Sequence, residues 1–394
     1  MKTSNLSFRR SSRALTLMVF LLSIALTIHV ISCSPVDHDA AIPAVPESLG
    51  FNQDALLRLE QDVSDGSLGD ISSILIQRHE QIVFEWYGFD WGVDVPHPVY
   101  SVTKSVASLL VGMAFDDEKL PNVDDSVTTL LPQYASLIDN DEQKSGLTLR
   151  HLLTMRAGFE WDEWSIPYFS EDNPIGFLIN SSNWVAFVLN LPMSAAPGNE
   201  FCYNSGVSTL VSAIFQEAVG MRADQYASEH LFAPLEITDW TWSLTPNEIT
   251  NGGWGLSLRP RDMAKIGTLV LGNGVYHGQR IVSEEWLEQS FQLTTLFQSG
   301  SGYGFHWWLE PITEFSGVQR APAALGLGGQ AIYVIREMDL VVVVTAEEYN
   351  TRPYPPEVIL HEYVLPAIID TEESSSHGVT TRTTRQSTRL RSGE

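Results

Sequence analysis

The stretch Ser101-Val102-Thr103-Lys104 opens the run SVTKSVASLLVGMAF at residues 101–115, and it decides how this chain is interpreted. Apolar residues recur along the run at helical spacing, which predicts a helix with a buried face. The chain has five lysines, and no other lysine follows a serine by three residues. Three helical residues turn the chain by about 300° and rise about 4.5 Å, so the serine and the lysine share one helix face.

This serine and lysine have the spacing of a covalent catalytic pair. A serine hydroxyl is a weak nucleophile at neutral pH, and an uncharged amine within hydrogen-bond reach can take its proton. Free lysine has a pKa near 10.4, so burial would have to lower it by roughly three units, about 4 kcal/mol. The apolar neighbours could supply that burial. The alternative is an ordinary helix-capping serine beside a solvated lysine.

Two further segments carry groups that such a reaction needs. FCYNSG at 201–206 contains Tyr203, whose phenol could relay a proton from Lys104 to a leaving group. GLGGQ at 326–330 would let the backbone run close to a substrate, and the amide of Gln330 could join that of Ser101 as an oxyanion donor. The alternatives are a tyrosine that packs its ring in a turn and a plain glycine turn.

The order of the predicted elements is that of an α/β chain. Apolar patterning and turn signals predict strands at 71–77, 81–87, 330–335 and 340–345, and helices at 101–115, 147–155, 206–219, 260–271 and 355–369. The first two strands form a hairpin. Strands at both ends with helices between them predict one sheet built from both termini, with a helical region inserted.

Taken together, the three segments resemble the serine β-lactamase and penicillin-binding-protein family, which uses S-x-x-K, Y-x-N and K-T-G elements. The run TLRHLLTM at 148–155 is similar to that family's TxRHLLTMTSG stretch, and GWGLSLRPRDMA at 253–264 is similarly specific. The resemblance covers about residues 48–369. It implies an α+β fold with an antiparallel five-stranded sheet flanked by helices. The sheet region would be about 48–125 and 255–369, and the inserted helical region about 126–254.

By motif match, the resemblance implies that Ser101 is the nucleophile, Lys104 its base partner and Tyr203 the proton relay. This sequence departs from the family at the substrate-binding positions. Ser205 stands where the second element usually has Asn, and Leu327-Gly328-Gly329 stands where the third has Lys-Thr-Gly. In the family that lysine helps to hold a substrate carboxylate, which a leucine cannot do.

These departures resemble the class C-related esterases and the 6-aminohexanoate-dimer hydrolase branch, so an ester or a small amide is the expected substrate. The alternatives are a β-lactamase or D-Ala-D-Ala carboxypeptidase that acts on peptidoglycan peptides, and a non-catalytic binding protein on the same fold. No Gly-x-Ser-x-Gly elbow supports an α/β-hydrolase, and no cofactor or metal motif occurs. His151 is expected to be structural.

Residues 1–32 have the pattern of a signal peptide, with a basic head followed by an apolar run. The run ends in Val-Ile-Ser-Cys, which resembles a bacterial lipobox, so Cys33 is the expected lipidation site and 33–47 a linker. An uncleaved anchor or an ordinary signal is the alternative. Either way we expect an extracytoplasmic protein, lipid-anchored to a bacterial membrane in the favoured case.

The charge of the chain bears on its partners. The net charge is −25, which disfavours nucleic-acid binding because a phosphate backbone requires clustered Lys and Arg. The segment 370–394 is rich in Ser and Thr and is expected to be a disordered tail. The expected partner is therefore a small ester, amide or peptide substrate.

Overall fold

The centre of the fold is an antiparallel sheet whose strands come from both ends of the described chain. The computed structural model describes residues 46–88, 90–313, 319–349 and 354–369. The strands in them are β1 (Ile71–Arg78), β2 (Gln81–Tyr87), β3 (His97–Pro98), β4 (Trp240–Trp242), β5 (Leu256–Leu258), β6 (Val275–Tyr276), β7 (Gln279–Arg280), β8 (Thr295–Leu296), β9 (Gly302–Tyr303), β10 (Trp308–Ile312), β11 (Gln319–Gly326), β12 (Gln330–Ile335) and β13 (Leu340–Ala346).

Helices lie before, between and after these strands. They are α1 (Gln53–Ser64), α2 (Val102–Asp116), α3 (Val127–Leu130), α4 (Ala135–Asp139), α5 (Leu149–Leu153), α6 (Pro174–Asn180), α7 (Trp184–Leu189), α8 (Ser205–Val219), α9 (Ala223–Ala227), α10 (Pro260–Leu271), α11 (Glu284–Ser290), α12 (Pro355–Val358) and α13 (Leu365–Ala367). Short 3₁₀ turns occur at Glu47–Leu49, Pro132–Tyr134 and Arg336–Met338, and π turns at Ser228–Phe232 and Ile359–Val364.

The large sheet joins the two ends of the described chain directly. Its strand order is β2-β1-β13-β12-β11-β10-β9-β8, and neighbouring strands pair antiparallel. The expected hairpin of β1 and β2 is confirmed, and β1 pairs with β13. Eight strands in the described residues replace the five that the resemblance implied. The difference arises because β11 also pairs with β10, and β9 and β8, two residues each, extend the sheet beyond β10.

Both faces of this sheet are covered, so β12 and β13 are buried at every position and are mostly apolar. Alternate residues of β13 enter two separate cores. Val341 and Val343 pack in the core that also contains residues of α2, α8 and α10, whereas Val342 and Val344 face the core formed with α1 and the C-terminal helices. The sheet is therefore the middle layer between two sets of helices.

Helices α2 and α8 lie at the centre of the larger core. Residues 102–114 of α2 are all buried, and so are residues 205–215 of α8. A helix buried on every side carries mostly apolar and small residues, and the polar side chains buried in α2 and α8 are serines, threonines and Lys104. Because α2 starts at Val102 and α8 at Ser205, their first turns carry the residues that the sequence singled out.

The other predicted helices are present with small changes. The helix expected at 147–155 is shorter, at Leu149–Leu153, and the one expected at 355–369 is divided into α12, a π turn and α13. Pro366 has no N–H for the helical ladder, which helps to divide that last helix. Residues 1–45 and 370–394, with Cys33 and most of the expected linker, lie outside the described residues. Within the described part, no helix is long and apolar enough to span a membrane.

Candidate active site

Ser101 lies at the start of α2, and its hydroxyl is not used to cap that helix. The residue occupies the N-cap position with φ −69° and ψ −7°, and its side chain makes no capping hydrogen bond. Tyr100 before it has a φ of 45°, in the left-handed region that non-glycine residues seldom occupy. Such strain is found at functional sites when the surrounding structure holds it in place. The alternative of an ordinary capping serine therefore does not fit.

Lys104 is one turn further along α2 and is only 1% exposed. Its Nζ lies 2.9 Å from Ser101 Oγ, 3.0 Å from Ser205 Oγ and 2.7 Å from the carbonyl oxygen of Gly253. Burial lowers the pKa of Lys104 to about 8, while the charge of Glu163 acts in the opposite direction. A solvated lysine is thereby excluded, and the amine that the sequence required to be buried is buried.

Tyr203 is brought to the same place. Its ring centroid is 4.9 Å from Lys104 Nζ, and the side chain is 7% exposed. Burial raises the pKa of Tyr203, the charge of Glu163 raises it further, and a side-chain hydrogen bond with Ser101 lowers it. The phenol therefore keeps its proton at neutral pH and is suited to donate it. Trp164 stacks on this ring at 5.0 Å between centroids.

The loop before Tyr203 is held by the segment that follows α5. Cys202 N donates to the carbonyl of Met155 at 2.8 Å. The guanidinium of Arg156 donates to the carbonyl oxygens of Gly198 at 2.9 Å and Asn199 at 2.9 Å. The run 148–155 and Arg156 therefore have a structural role, which is to fix the position of the Tyr203 phenol.

His151 serves the same structural purpose at the other end of α5. Its Nδ1 lies 3.2 Å from the backbone N of Thr148 and 3.1 Å from the hydroxyl of that residue, which completes a capping box. Burial lowers the pKa of His151. The structural role expected for this histidine matches its contacts.

Ser205 is the first residue of α8 and lies within the site. Its hydroxyl is in contact with Lys104 Nζ and donates to Glu163 Oε1 at 2.8 Å, and the residue is 3% exposed. Both of these contacts are with buried protein groups. Direct contact between Ser205 and a substrate stays a prediction.

Glu163 is the residue that the sequence did not assign to the site. It is 1% exposed, and its carboxylate accepts four hydrogen bonds. Oε2 accepts from Ser205 N at 2.7 Å and Trp161 Nε1 at 2.7 Å, and Oε1 accepts from Ser205 Oγ and from the hydroxyl of Tyr168 at 3.0 Å. The one available signal was an acid set among aromatic residues in FEWDEW at 159–164. That pattern is equally typical of a pocket wall.

The glycine segment forms the tight turn between β11 and β12. Gly328 and Gly329 have φ values of 81° and 100°, which glycine adopts without strain. A Cβ on Gly326 would lie 2.3 Å from the carbonyl oxygen of Val99, so this turn packs closely against the chain that leads to Ser101. The turn therefore lies beside the start of α2, where Ser101 is found.

Contacts on both sides keep this turn rigid. The side-chain amide of Gln330 donates to the carbonyl oxygens of Ala346 at 2.6 Å and Leu327 at 3.1 Å, and the hydroxyl of Tyr354 donates to that of Gly326 at 2.6 Å. Leu327 is partly exposed, whereas the two glycines after it are buried. Leu327 is thus the side chain of the turn that solvent can reach.

Exposed aromatic rings surround the site. Trp164 is 53% exposed and Phe169 76% exposed, although both are large apolar side chains. Trp164 stacks on Tyr203, and Phe169 meets Tyr349 edge-on at 5.7 Å. The Tyr349 hydroxyl lies 3.2 Å from that of Tyr100, the residue before Ser101. In the part of the chain that the structure describes, no group of three or more His, Cys, Asp or Glu side chains could hold a metal ion.

Comparisons with known proteins bear on the family and the fold of this chain. The chain is 24% identical to the 6-aminohexanoate-dimer hydrolase of Paenarthrobacter ureafaciens over 330 residues, which cover 76% of this chain and 79% of that protein. The structure of a family VIII carboxylesterase superposes with a TM-score of 0.64 at 17% identity, covering 83% and 98% of the two chains. A penicillin-binding-protein homologue from Caulobacter crescentus superposes with a TM-score of 0.60 at 14% identity, covering 75% and 91%.

These likenesses to solved structures show a fold of the β-lactamase and transpeptidase type, as the resemblance implied. The model of the family described as Beta-lactamase matches residues 58–360, which is most of the chain. The matched region contains α2, the loop with Tyr203 and the glycine turn. The chain belongs to the beta-lactamase family.

Proposed function

We propose that this protein is a serine hydrolase that forms an acyl-enzyme on Ser101 with esters or small amides. The observation that carries the proposal is the buried amine of Lys104, 2.9 Å from Ser101 Oγ, whose pKa is lowered to about 8. At pH 7 about one tenth of such an amine is uncharged, against roughly 0.03% at the ordinary pKa of a lysine. A base is thus available where a hydroxyl needs one.

The proposed reaction uses three side chains in turn. Lys104 takes the proton of the Ser101 hydroxyl as its oxygen attacks the substrate carbonyl, and an ester or amide bond becomes a tetrahedral intermediate. The leaving oxygen or nitrogen receives a proton from the phenol of Tyr203, which regains one from Lys104. Water then attacks the acyl-enzyme by the reverse sequence, which releases the acid and restores Ser101.

The oxyanion of this intermediate would be held by the backbone amides of Ser101 and Gln330. The first belongs to the residue at the start of α2, where the helix dipole favours negative charge. The second belongs to a rigid turn that packs on Val99. Preorganised donors of this kind typically contribute about 2.7–4 kcal/mol each to transition-state stabilisation.

Uncharged substrates suit this site better than carboxylate-bearing ones. Leu327 offers no positive charge at the turn. Burial raises the pKa of Cys202, next to Tyr203, and the negative charges of Glu163, Asp162 and Glu200 raise it further, so this side of the site is negatively charged. The exposed rings of Trp164 and Phe169 provide apolar contact area for an acyl or leaving group. The similarity to a 6-aminohexanoate-dimer hydrolase and to a carboxylesterase, an amide and an ester enzyme, supports the same substrate classes.

A fluorophosphonate probe tests the nucleophile. We expect the wild type to be labelled and Ser101→Ala not to be labelled, with Ser182→Ala, an exposed serine, as the matched control. A panel of short-chain aryl esters, small amides and a chromogenic cephalosporin would follow. Equal labelling of wild type and Ser101→Ala would contradict the assignment, and efficient cephalosporin turnover at micromolar KM would contradict the substrate class.

A lipid anchor at Cys33 would place this hydrolase outside the cytoplasm. The lipobox-like sequence before Cys33 is the basis of this part of the proposal. Each buried methylene of an acyl chain contributes about 0.8 kcal/mol to membrane binding, so more than one chain would hold the protein firmly. Cys33→Ser should release the full-length protein from membranes in a fractionation experiment. Unchanged fractionation would instead indicate a retained anchor helix.

A further inference from the structure

The buried carboxylate of Glu163 lies one hydrogen bond beyond the groups that the proposed reaction uses. It accepts hydrogen bonds from Ser205, Trp161 and Tyr168, all of them donors. In each of these four contacts an N–H or O–H group donates and a carboxylate oxygen accepts. An ionised carboxylate can only accept, so it fixes the direction in which each neighbouring hydroxyl points.

The hydroxyl of Ser205 is the one whose direction matters for catalysis. It has a single hydrogen, and this is donated to Glu163 Oε1 at 2.8 Å. Towards Lys104 Nζ, 3.0 Å away, the Ser205 oxygen therefore presents lone pairs. In this arrangement Ser205 accepts from the amine and does not donate to it.

Counting the N–H groups and the lone pair of the uncharged Lys104 amine then leaves only one way to assign its three contacts. A neutral lysine has two N–H groups and one lone pair. The carbonyl of Gly253 can only accept, and it takes one N–H at 2.7 Å. Ser205, held by the carboxylate, takes the other. The lone pair is left for the third contact, the hydroxyl of Ser101 at 2.9 Å.

We infer that Glu163 is a positioning residue that directs the lone pair of Lys104 at Ser101 by holding the Ser205 hydroxyl as an acceptor. This inference rests on the proposed function, in which Lys104 takes the proton of Ser101. The same carboxylate stabilises the ammonium once the proton has been transferred, since its charge raises the pKa of Lys104 against the effect of burial. Glu163 acts on both states of the amine without touching the substrate.

Replacing the carboxylate by an amide would reverse the Ser205 hydroxyl. The backbone N–H of Ser205 and the indole N–H of Trp161 cannot turn, so the carbonyl oxygen of a glutamine has to face them. Its NH₂ group then faces the hydroxyls of Ser205 and Tyr168, which can rotate. Ser205 would accept from the amide, donate to Lys104 and occupy the lone pair that Ser101 needs.

The test is a double-mutant cycle in ester hydrolysis. We expect Glu163→Gln to lower kcat by about 10- to 100-fold with KM little changed, because a positioned base contributes ~10²–10⁴-fold. Glu160→Gln, an exposed acid in the same segment, is the matched control and should leave kcat unchanged. In a Ser205→Ala background, Glu163→Gln should cause no further loss, since the link through the hydroxyl is already cut.

A titration that needs no substrate separates this inference from the proposed function. With 13C-labelled lysine, the Cε signal of Lys104 is one of five, and Glu163→Gln should move its titration to lower pH while Glu160→Gln does not. The inference would be overturned if Glu163→Gln or Ser205→Ala kept the full kcat of the wild type. The proposed function would stay intact in that case, provided that Ser101→Ala is inactive. Additive losses in the cycle would overturn it too. If Glu163→Gln does not fold, Ser205→Ala alone decides, because it should lose kcat to a similar extent.

Discussion

Two lysines of the described residues are buried, and they differ in what surrounds them. Lys104 is 1% exposed and Lys144 is 5% exposed. Lys104 Nζ contacts two hydroxyls and a carbonyl oxygen, with the nearest carboxylate of its network one serine away. Lys144 Nζ donates to the carbonyl of Leu189 at 2.8 Å and lies 3.4 Å from the carboxylate of Asp141.

The difference shows that two buried lysines of one chain can have opposite electrostatic surroundings. Lys144 lies in the turn after α4, beside the carboxylate of Asp141, and donates to the last residue of α7, so it is placed as a structural lysine that ties this turn to α7. Around Lys104 the direct partners are neutral, and desolvation has the larger effect on its pKa. The serine between Lys104 and Glu163 keeps the charge close enough to orient the amine but out of direct contact with it.

The largest effect is expected when each of the two buried lysines is replaced by a side chain without an amine. We expect Lys104→Met to lower kcat for ester hydrolysis by about 10³-fold, because the loss of a general base typically costs ~10²–10⁴-fold. Lys144→Met should leave kcat per folded molecule within twofold of the wild type. Steady-state kinetics with an active-site titration of folded enzyme would measure both. A Lys104→Met variant with near-normal kcat would remove the base from the mechanism.

The residues around Lys104 also show which parts of the site could be predicted from the sequence. Ser101 and Lys104 share one helical turn, so local geometry sufficed to pair them. Tyr203 and the glycine turn were found because each carries a recognisable motif. Glu163 was missed because its partner Ser205 is 42 positions away, and only the folded chain brings them within 2.8 Å.

The fold was predictable to a similar extent. The hairpin at the start of the sheet, the strands β12 and β13 and the helices α2, α8 and α10 follow from apolar periodicity and turn residues. Strands β8 and β9 have two residues each, too few to carry any period, and the expected number of five strands came from the family resemblance alone. The π turn at Ile359–Val364 leaves no mark in the pattern that predicted a single helix.

The pH dependence sharpens the comparison further. Burial lowers the pKa of Lys104 to about 8, so its uncharged form, the one able to accept a proton, becomes the major form above that pH. We expect kcat/KM to rise about tenfold per pH unit up to about pH 8 and then to level off. The Lys144→Met profile should coincide with that of the wild type. A kcat/KM that does not change with pH from pH 6 upwards would show that the protonation state of Lys104 does not limit the reaction.

The same pKa shift gives a stability effect of known sign. The unfolded chain holds the proton of Lys104 up to its ordinary pKa of 10.5, whereas the folded protein releases it near 8. Between these values the unfolded state binds more protons, so the free energy of unfolding rises with pH through this contribution. Below pH 8 the fold carries the cost of a buried ammonium, which a structural lysine with a direct carboxylate partner would largely avoid.

The smallest expected effect concerns Lys144, and it lies in stability. Methionine can fill much of the same volume, but the carbonyl of Leu189 would lose its donor within a buried contact. An unsatisfied buried acceptor costs about 1–3 kcal/mol, and the partly exposed Asp141 adds little because solvent screens it. We therefore expect Lys144→Met to lower the free energy of unfolding by about 1–2 kcal/mol in a urea titration. Lys119→Met, at an exposed position, is the matched control and should change it by less than about 0.5 kcal/mol. If Lys144→Met has the same free energy of unfolding as the wild type, the contacts of Lys144 do not stabilise the fold. The contrast between the two lysines would then rest on Lys104 alone.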